Sequence, residues 1–161
     1  MLIVSDSSPL IAFSRIGRID LLQAVVGNIL IPEEVAREIS EYGKNKKGVI
    51  NLSDYDWIKV KKVTYSNSVD LLLPSIDKGE AEVIVLAMEN RADLVLIDEL
   101  SGRKIAESFN LSILGSAGIL LKAKEKGLIK AVKPLMDDMM EKGIRYSKRF
   151  YTHLLGQIGE L

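Results

Sequence analysis

The feature that most constrains this chain is a recurring pair of signals, in which a run of three or four mostly apolar residues passes directly into helix-start chemistry. Leu2-Ile3-Val4 leads into Ser7-Ser8-Pro9, and Asn28-Ile29-Leu30-Ile31 leads into Pro32-Glu33-Glu34. A proline at the first helical position with acids in the first turn marks a helix N-terminus. Leu94-Val95-Leu96-Ile97 is followed by Asp98, and Leu111-Ser112-Ile113-Leu114 by Gly115-Ser116. Short continuous apolar runs suit strands covered on both faces, and strands alternating with helices predict an α/β fold with a parallel sheet and right-handed crossovers. Trp57-Ile58-Lys59-Val60-Lys61-Lys62-Val63 alternates in part and reads as an edge strand whose lysines discourage foreign pairing. Segment 42–51, rich in Gly, Lys and Asn, predicts a mobile loop. From Ser116 onward the pattern is helical over 117–126, about 131–141 and 148–157, with Gly127 and Gly143 as stops.

At 161 residues the chain has the size of one domain, and no repeat or linker divides it. Residues 1–161 are therefore expected to form a single unit, mainly helical over about 116–161. Folding at this length buries roughly 70% of the unfolded surface, which needs no staple. A cysteine count of 0 removes disulfides, thiolate catalysis and Cys-based zinc sites, and fits a reducing compartment. With one histidine, His153, imidazole triads and multi-histidine metal sites have almost nothing to draw on, so any metal must be held mainly by oxygen. Lys plus Arg and Asp plus Glu both number 22, so no global basic field exists and nucleic-acid binding requires local patches. The apolar runs fall far short of the roughly 20 residues of a membrane span, and the N-terminus has no basic n-region or secretory h-region. A cytoplasmic protein without membrane attachment is expected.

The acidic residues carry the chemistry. Asp6 and Asp98 stand at the ends of apolar strands, and in open parallel sheets ligands bind outside the carboxyl ends of the strands. The competing reading is that each caps the following helix. At about 100° per residue, Val35, Ile39 and Tyr42 share a stripe of the helix after Pro32 while Arg37 and Glu41 face away. Glu38 sits on the border of that stripe, either as a rim charge or aimed into a cleft. The stretch Asp77 to Met88 is apolar almost all round and predicts a buried helix. Glu80 shares its azimuth with Val83, Ile84 and Ala87 and points inward, whereas Glu82 lies on the opposite side beside Glu89. Asp77-x-x-Glu80 also fits a capping box, which accounts for Glu80 without a site. Asp6, Glu38, Glu80 and Asp98 thus come from separate elements that can converge on one pocket. Such a cluster repels itself and is costly to desolvate, so it needs a cation, and hard oxygen donors select Mg²⁺ or Mn²⁺. Carboxylates with open positions for water and phosphate perform phosphodiester hydrolysis.

The chain resembles the PIN-domain nucleases, in particular a PIN-like group of small prokaryotic proteins. The carrying segments are Ile3-Val4-Ser5-Asp6-Ser7-Ser8-Pro9-Leu10-Ile11 and Ile31-Pro32-Glu33-Glu34-Val35-Ala36-Arg37-Glu38-Ile39. They continue with Asp77-Lys78-Gly79-Glu80-Ala81-Glu82, Ile97-Asp98-Glu99 with Gly102-Arg103, and Leu114-Gly115-Ser116-Ala117-Gly118-Ile119-Leu120-Leu121. The resemblance spans nearly the whole chain. It implies a three-layer α/β/α sandwich with a central parallel sheet, and a Mg²⁺- or Mn²⁺-dependent ribonuclease of the kind often found as the toxin of a toxin-antitoxin pair. By motif, Asp6, Glu38, Glu80 and Asp98 match the metal-binding catalytic acids, and Ser8 the hydroxyl that orients Asp6 or a bound water. The usual third acid in the better-known toxins is Asp, so Glu80 departs from the pattern and Glu82 competes for the role. A small antitoxin protein and a homodimer are the implied partners besides RNA.

Arg103, five residues past Asp98, is placed to reach a phosphate or to neutralise the acids, and otherwise reads as a surface charge. Arg145-Tyr146-Ser147-Lys148-Arg149-Phe150-Tyr151 interleaves cations with aromatics in the manner of a single-strand binding surface, with Lys148 and Arg149 as substrate contacts. The alternative is a terminal helix that packs its rings inward. Lys44, Lys46 and Lys47 form a further basic cluster, and His153 reads as a surface or packing residue. Three functional readings follow. The leading one is a metal-dependent ribonuclease acting on single-stranded RNA. The second is a PIN-like nucleic-acid-binding or protein-interaction module with little or no activity. The third, a phosphoaspartyl enzyme using Asp6, lacks the second Asp two residues on that haloacid-dehalogenase-type phosphatases carry.

Overall fold

The computed structural model describes residues 1–42 and 49–161. Lys44, Lys46 and Lys47, with most of the expected loop, lie outside the described residues. Five short strands, β1 (Ile3–Ser5), β2 (Ile29–Ile31), β3 (Ile58–Val60), β4 (Leu94–Leu96) and β5 (Ile113–Leu114), form one all-parallel sheet in the order β3-β2-β1-β4-β5. All four apolar runs and the lysine-bearing segment supply strands, and β3 is indeed an edge. Every residue of β1 is buried. Because successive side chains point to opposite faces, both faces of the sheet centre are covered. Among the described residues nine α-helices flank the sheet in a three-layer α/β/α arrangement.

In chain order these are α1 (Ser7–Arg15), α2 (Ile19–Val26), α3 (Glu33–Tyr42), α4 (Ser66–Leu72), α5 (Lys78–Glu89), α6 (Leu100–Ser108), α7 (Ser116–Glu125), α8 (Lys133–Glu141) and α9 (Lys148–Gln157). Their boundaries follow from local chemistry. The Pro32 carbonyl accepts the Ala36 amide at 3.1 Å, so Pro32 stands just outside α3, one residue earlier than the sequence pattern places it. On α3, Val35 and Ile39 are buried while Arg37 is exposed and paired with Glu34 and Glu41. α5 opens with the expected capping box: Asp77 Oδ1 accepts the Glu80 amide at 2.8 Å, and Glu80 Oε2 accepts the Asp77 amide at 3.2 Å. Gly127 (φ +74°) and Gly143 (φ +97°) hold the left-handed backbone just past α7 and α8, as stop signals do.

The main core runs from β1 to α9 and includes Phe13, Leu22, Leu86, Leu96, Ile119, Met136 and Leu155, all fully buried. The C-terminal helices therefore pack into the same core as the sheet. Strand order reverses between β1 and β4, which pair with Ser5 opposite Leu96. The Asp6 amide donates to the Leu96 carbonyl at 2.9 Å, and the Ile97 amide to the Leu114 carbonyl at 3.1 Å. These bonds fix where the chain leaves the sheet, and hence where the acids beyond β1 and β4 begin. Leu96 is fully buried in this junction. Leu96→Ala is expected to lower the unfolding free energy by about 2–5 kcal/mol in equilibrium urea denaturation, through lost transfer energy and the cavity it leaves.

Candidate active site at the carboxyl edge of the sheet

The strand-order reversal places a crevice beyond the ends of β1 and β4, the location where open parallel sheets bind ligands. A pocket of about 450 Å³ opens there, and it is lined by Asp6, Glu38, Asp77, Glu80 and Glu99 together with Ser7, Ser8, Ser75 and Ser101. No Lys, Arg or His lines it among the described residues. Three of the four acids singled out from the sequence, Asp6, Glu38 and Glu80, are thus brought together from the ends of β1, α3 and the start of α5.

Each is held differently. Asp6 is 3% exposed and stands at the N-cap position of α1, yet its side chain makes no capping bond. The helix-cap explanation therefore does not account for it. Burial pushes its carboxyl up to about 8, against the downward pull of the Ser7 amide and reinforced by the charges of Glu38, Glu80 and Asp77. Glu38 is half-buried, accepts the Ser7 hydroxyl at 2.8 Å, and is raised by burial despite that bond. Glu80 is 3% exposed. It is raised to about 7 by burial and by the Asp77 charge, so it serves as a cap and as a pocket wall at once. Glu82 spends its carboxylate on the Glu34 amide, 3.2 Å away at the start of α3, and does not line the pocket. Between the two competing acids, only Glu80 faces the cluster.

Asp98 goes elsewhere. It lines an adjoining cavity of about 930 Å³ whose wall includes Ser8 and Glu99, the two residues common to both spaces. Its Oδ1 accepts the Ser116 amide at 2.9 Å and the Ser116 hydroxyl at 3.0 Å. Burial raises its pKa, while Ser116 and the Arg103 guanidinium pull it down. Among the described residues no three carboxylates converge closely enough to form a ready-made metal cage. Ser8 is half-buried, and its hydroxyl has no hydrogen-bond partner among the described residues. Its neighbour Ser7 donates to Glu38. Arg103 is half-buried on the adjoining cavity, whereas Lys148 and Arg149 are exposed at the start of α9 and line neither space.

Three glycines make room for the acids, a feature the sequence reading missed. A Cβ on Gly79 would collide with Glu38 Oε1, one on Gly102 would meet Glu80 Oε1 at 3.2 Å, and one on Gly115 would meet Asp98 Oδ1 at 2.7 Å and Arg103 Nη1 at 2.9 Å. The signal was present as glycine beside the chemistry-bearing residues in Gly79-Glu80, Gly102-Arg103 and Gly115-Ser116. Asp77 was legible only as a cap and Glu99 only as the neighbour of Asp98.

Fold and pocket together define an α/β protein with a ligand crevice walled by carboxylates at the switch point of a parallel sheet. The family model described as a PIN domain matches residues 2–160, and the chain belongs to that family. PIN domains are generally nucleases that bind nucleic acid and use divalent metals. A search of curated proteins found no match. No described helix is long and apolar enough to cross a membrane.

The raised acids make stability depend on pH when divalent ions are removed. Asp6 keeps its proton to about pH 8 in the folded state, against 3.8 for an ordinary Asp, so the folded chain binds more protons than the unfolded one across that window. Unfolding free energy should therefore fall as pH rises through it, by on the order of 2 kcal/mol between pH 5 and 8 in urea titrations with EDTA. Asp6→Asn is expected to flatten most of that slope.

Proposed function

We propose that the protein is a Mg²⁺- or Mn²⁺-dependent endoribonuclease that hydrolyses phosphodiester bonds of single-stranded RNA, with water as nucleophile and no covalent intermediate. The observation that carries this reading is the pocket itself, lined by five carboxylates from four parts of the fold and by no cationic side chain among the described residues. Its donors are all hard oxygens, and burial with mutual repulsion holds Asp6, Glu38 and Glu80 above their ordinary pKa values. That donor set fits a hard divalent ion and no soft one. Asp6, Glu38 and Glu80, which line the pocket without standing as a ready-made cage, would close on it, with Asp98 adding negative charge from the adjoining cavity. When bound, such an ion acidifies water and screens the charge that develops at phosphorus.

The chain's own groups supply the positioning. Ser7 fixes the Glu38 carboxylate, and the Asp77 amide fixes Glu80. The free Ser8 hydroxyl stands between the two spaces, where it can hydrogen-bond a water or a phosphate oxygen. Arg103, which acts electrostatically on Asp98 but makes no hydrogen bond among the described residues, offers a fork of donors to a phosphate. Lys148 and Arg149, both exposed, attract the backbone at longer range. In this reading residues 1–161 work as one unit in the cytoplasm, as a homodimer restrained by a small antitoxin protein.

A second reading, a PIN-like binding module with little or no activity, is favoured by one observation: Asp98 is committed to Ser116 rather than to the acidic pocket. Cleavage assays separate the two. RNA hydrolysis is expected with Mg²⁺ or Mn²⁺, to vanish in EDTA, and to fall at least about 100-fold in Asp6→Asn, in the range set by losing a catalytic group. Equal cleavage by wild type and Asp6→Asn removes the nuclease reading. Gly79→Ala, which crowds Glu38, is expected to weaken Mn²⁺ binding about 10-fold by titration calorimetry while leaving the fold intact by circular dichroism.

A further inference from the structure

We infer that the cavity beside the acidic pocket is a nucleobase subsite, which receives one unpaired base of a single strand next to the phosphate held at the acids. This rests on the nuclease reading for the identity of the neighbouring pocket, but its geometry is independent of catalysis. The cavity holds about 930 Å³ and shares Ser8 and Glu99 with the lining of the acidic pocket, so the two spaces are neighbours. Its interior is apolar where α7 and α9 face it, with Leu121 and Leu154 on the wall. The rings of Tyr146 and Phe150, also on its lining, stand 6.0 Å apart at 34°, and Phe150 is 43% exposed. An exposed aromatic beside apolar side chains offers a stacking face to any base.

Charge points to the same occupant. Arg103 and Arg145 line this cavity with Arg15 and Lys104, against the carboxylates Asp98, Glu99 and Glu107; Arg103 is drawn electrostatically to Asp98, whereas the Arg145 guanidinium has no hydrogen bond or ion pair among the described residues. The acidic pocket repels a phosphate in the absence of a cation, whereas Arg103 and Arg145 attract one. Aromatic faces, apolar lining and two guanidinium groups, one of them without a partner among the described residues, match a nucleotide better than an apolar peptide helix, which would leave the cations unanswered. A base inside a duplex has its faces stacked and cannot enter, so the subsite selects single strands. The tilted pair of Tyr146 and Phe150 belongs to the segment that interleaves cations with aromatics, and the structure sets Arg145, Tyr146 and Phe150 on the cavity while Lys148 and Arg149 stay outside it.

The test uses the full chain as Asp6→Asn in EDTA, so that no cleavage contributes, with fluorescently labelled eight-nucleotide RNA and DNA single strands and the matching RNA duplex as probes. Anisotropy is expected to show salt-sensitive binding of the single strands and at least 10-fold weaker binding of the duplex. Phe150→Ala should cost about 5- to 100-fold in single-strand affinity, as loss of one base stack does, and Phe150→Trp should restore it. Arg145→Ala should weaken binding and reduce the slope against log salt by about 0.7. Equal binding of DNA and RNA supports base recognition that ignores the 2′-hydroxyl. Single-strand binding with these sensitivities but no cleavage by the wild type under Mg²⁺ or Mn²⁺ upholds the subsite and defeats the nuclease reading alone. Wild-type affinity in both Phe150→Ala and Arg145→Ala, or no oligonucleotide binding at all, overturns the assignment and leaves the cavity to a polypeptide partner.

Discussion

Carboxylates that are buried side by side raise one another's free energy, and in this molecule that repulsion governs the centre of the structure. Asp6 and Glu80 are each 3% exposed and Glu38 is half-buried, with Asp77 and Glu99 on the same wall. Three things can offset the cost: a proton, a hydrogen bond, or a cation. The chain uses the second sparingly. Ser7 serves Glu38, the Asp77 amide serves Glu80, and the Ser7 amide acts on Asp6. What is left is met by protons, which is why the pKa values rise, and it is the same deficit that a divalent ion relieves.

The sheet bears the strain of keeping these groups together. Asp6 is tied by its own amide to Leu96, so its backbone cannot retreat from the strand end without breaking the β1–β4 ladder. Glu80 is locked by a reciprocal cap, and Glu38 is set by a helix whose apolar stripe, Val35 and Ile39, is fully buried. Small residues opposite each acid complete the arrangement. Gly79, Gly102 and Gly115 leave space where a side chain would press on Glu38, Glu80 and Asp98. Glu82, on the far side of α5, caps α3 and so couples the angle of the Glu38 helix to that of the Glu80 helix.

The fold was legible because its signals are local. Continuous apolar runs mark covered strands, Pro32 and the Asp77-x-x-Glu80 pattern mark helix starts, and Gly127 and Gly143 mark stops; each depends on a few adjacent residues. The inward azimuth of Glu80 was equally local, since helix geometry alone separates it from Glu82. What the sequence could not convey are relations between side chains of distant segments. Asp98 reads as an equal of Asp6 from its place after a strand, but only the three-dimensional position of Ser116, 18 residues on, shows that its carboxylate is engaged there. Ser8 reads by motif as the hydroxyl that orients Asp6 or a bound water, and nothing in the sequence shows that its neighbour Ser7 holds Glu38. In the same way Lys148, Arg149 and Arg145 are indistinguishable by composition, and only the packing of α9 decides which of them borders a cavity.

The Ser116 bond ties an acid of the sheet edge to the C-terminal region. Its hydroxyl is shared, lying 3.0 Å from Asp98 Oδ1 and 2.5 Å from the Tyr146 hydroxyl, which in turn approaches the sulfur of Met139 at 3.4 Å. Tyr146 is part of the wall of the larger cavity and is held by burial above the ordinary phenol range, to about 12, so it stays a neutral donor or acceptor at working pH. The Ser116 hydroxyl thus links the Tyr146 phenol to the Asp98 carboxylate, which the Ser116 amide also holds. The C-terminal helices thereby do more than cover the sheet. They place Tyr146, a residue of the larger cavity, two hydrogen bonds from Asp98, an acid at the sheet edge that lines the same cavity.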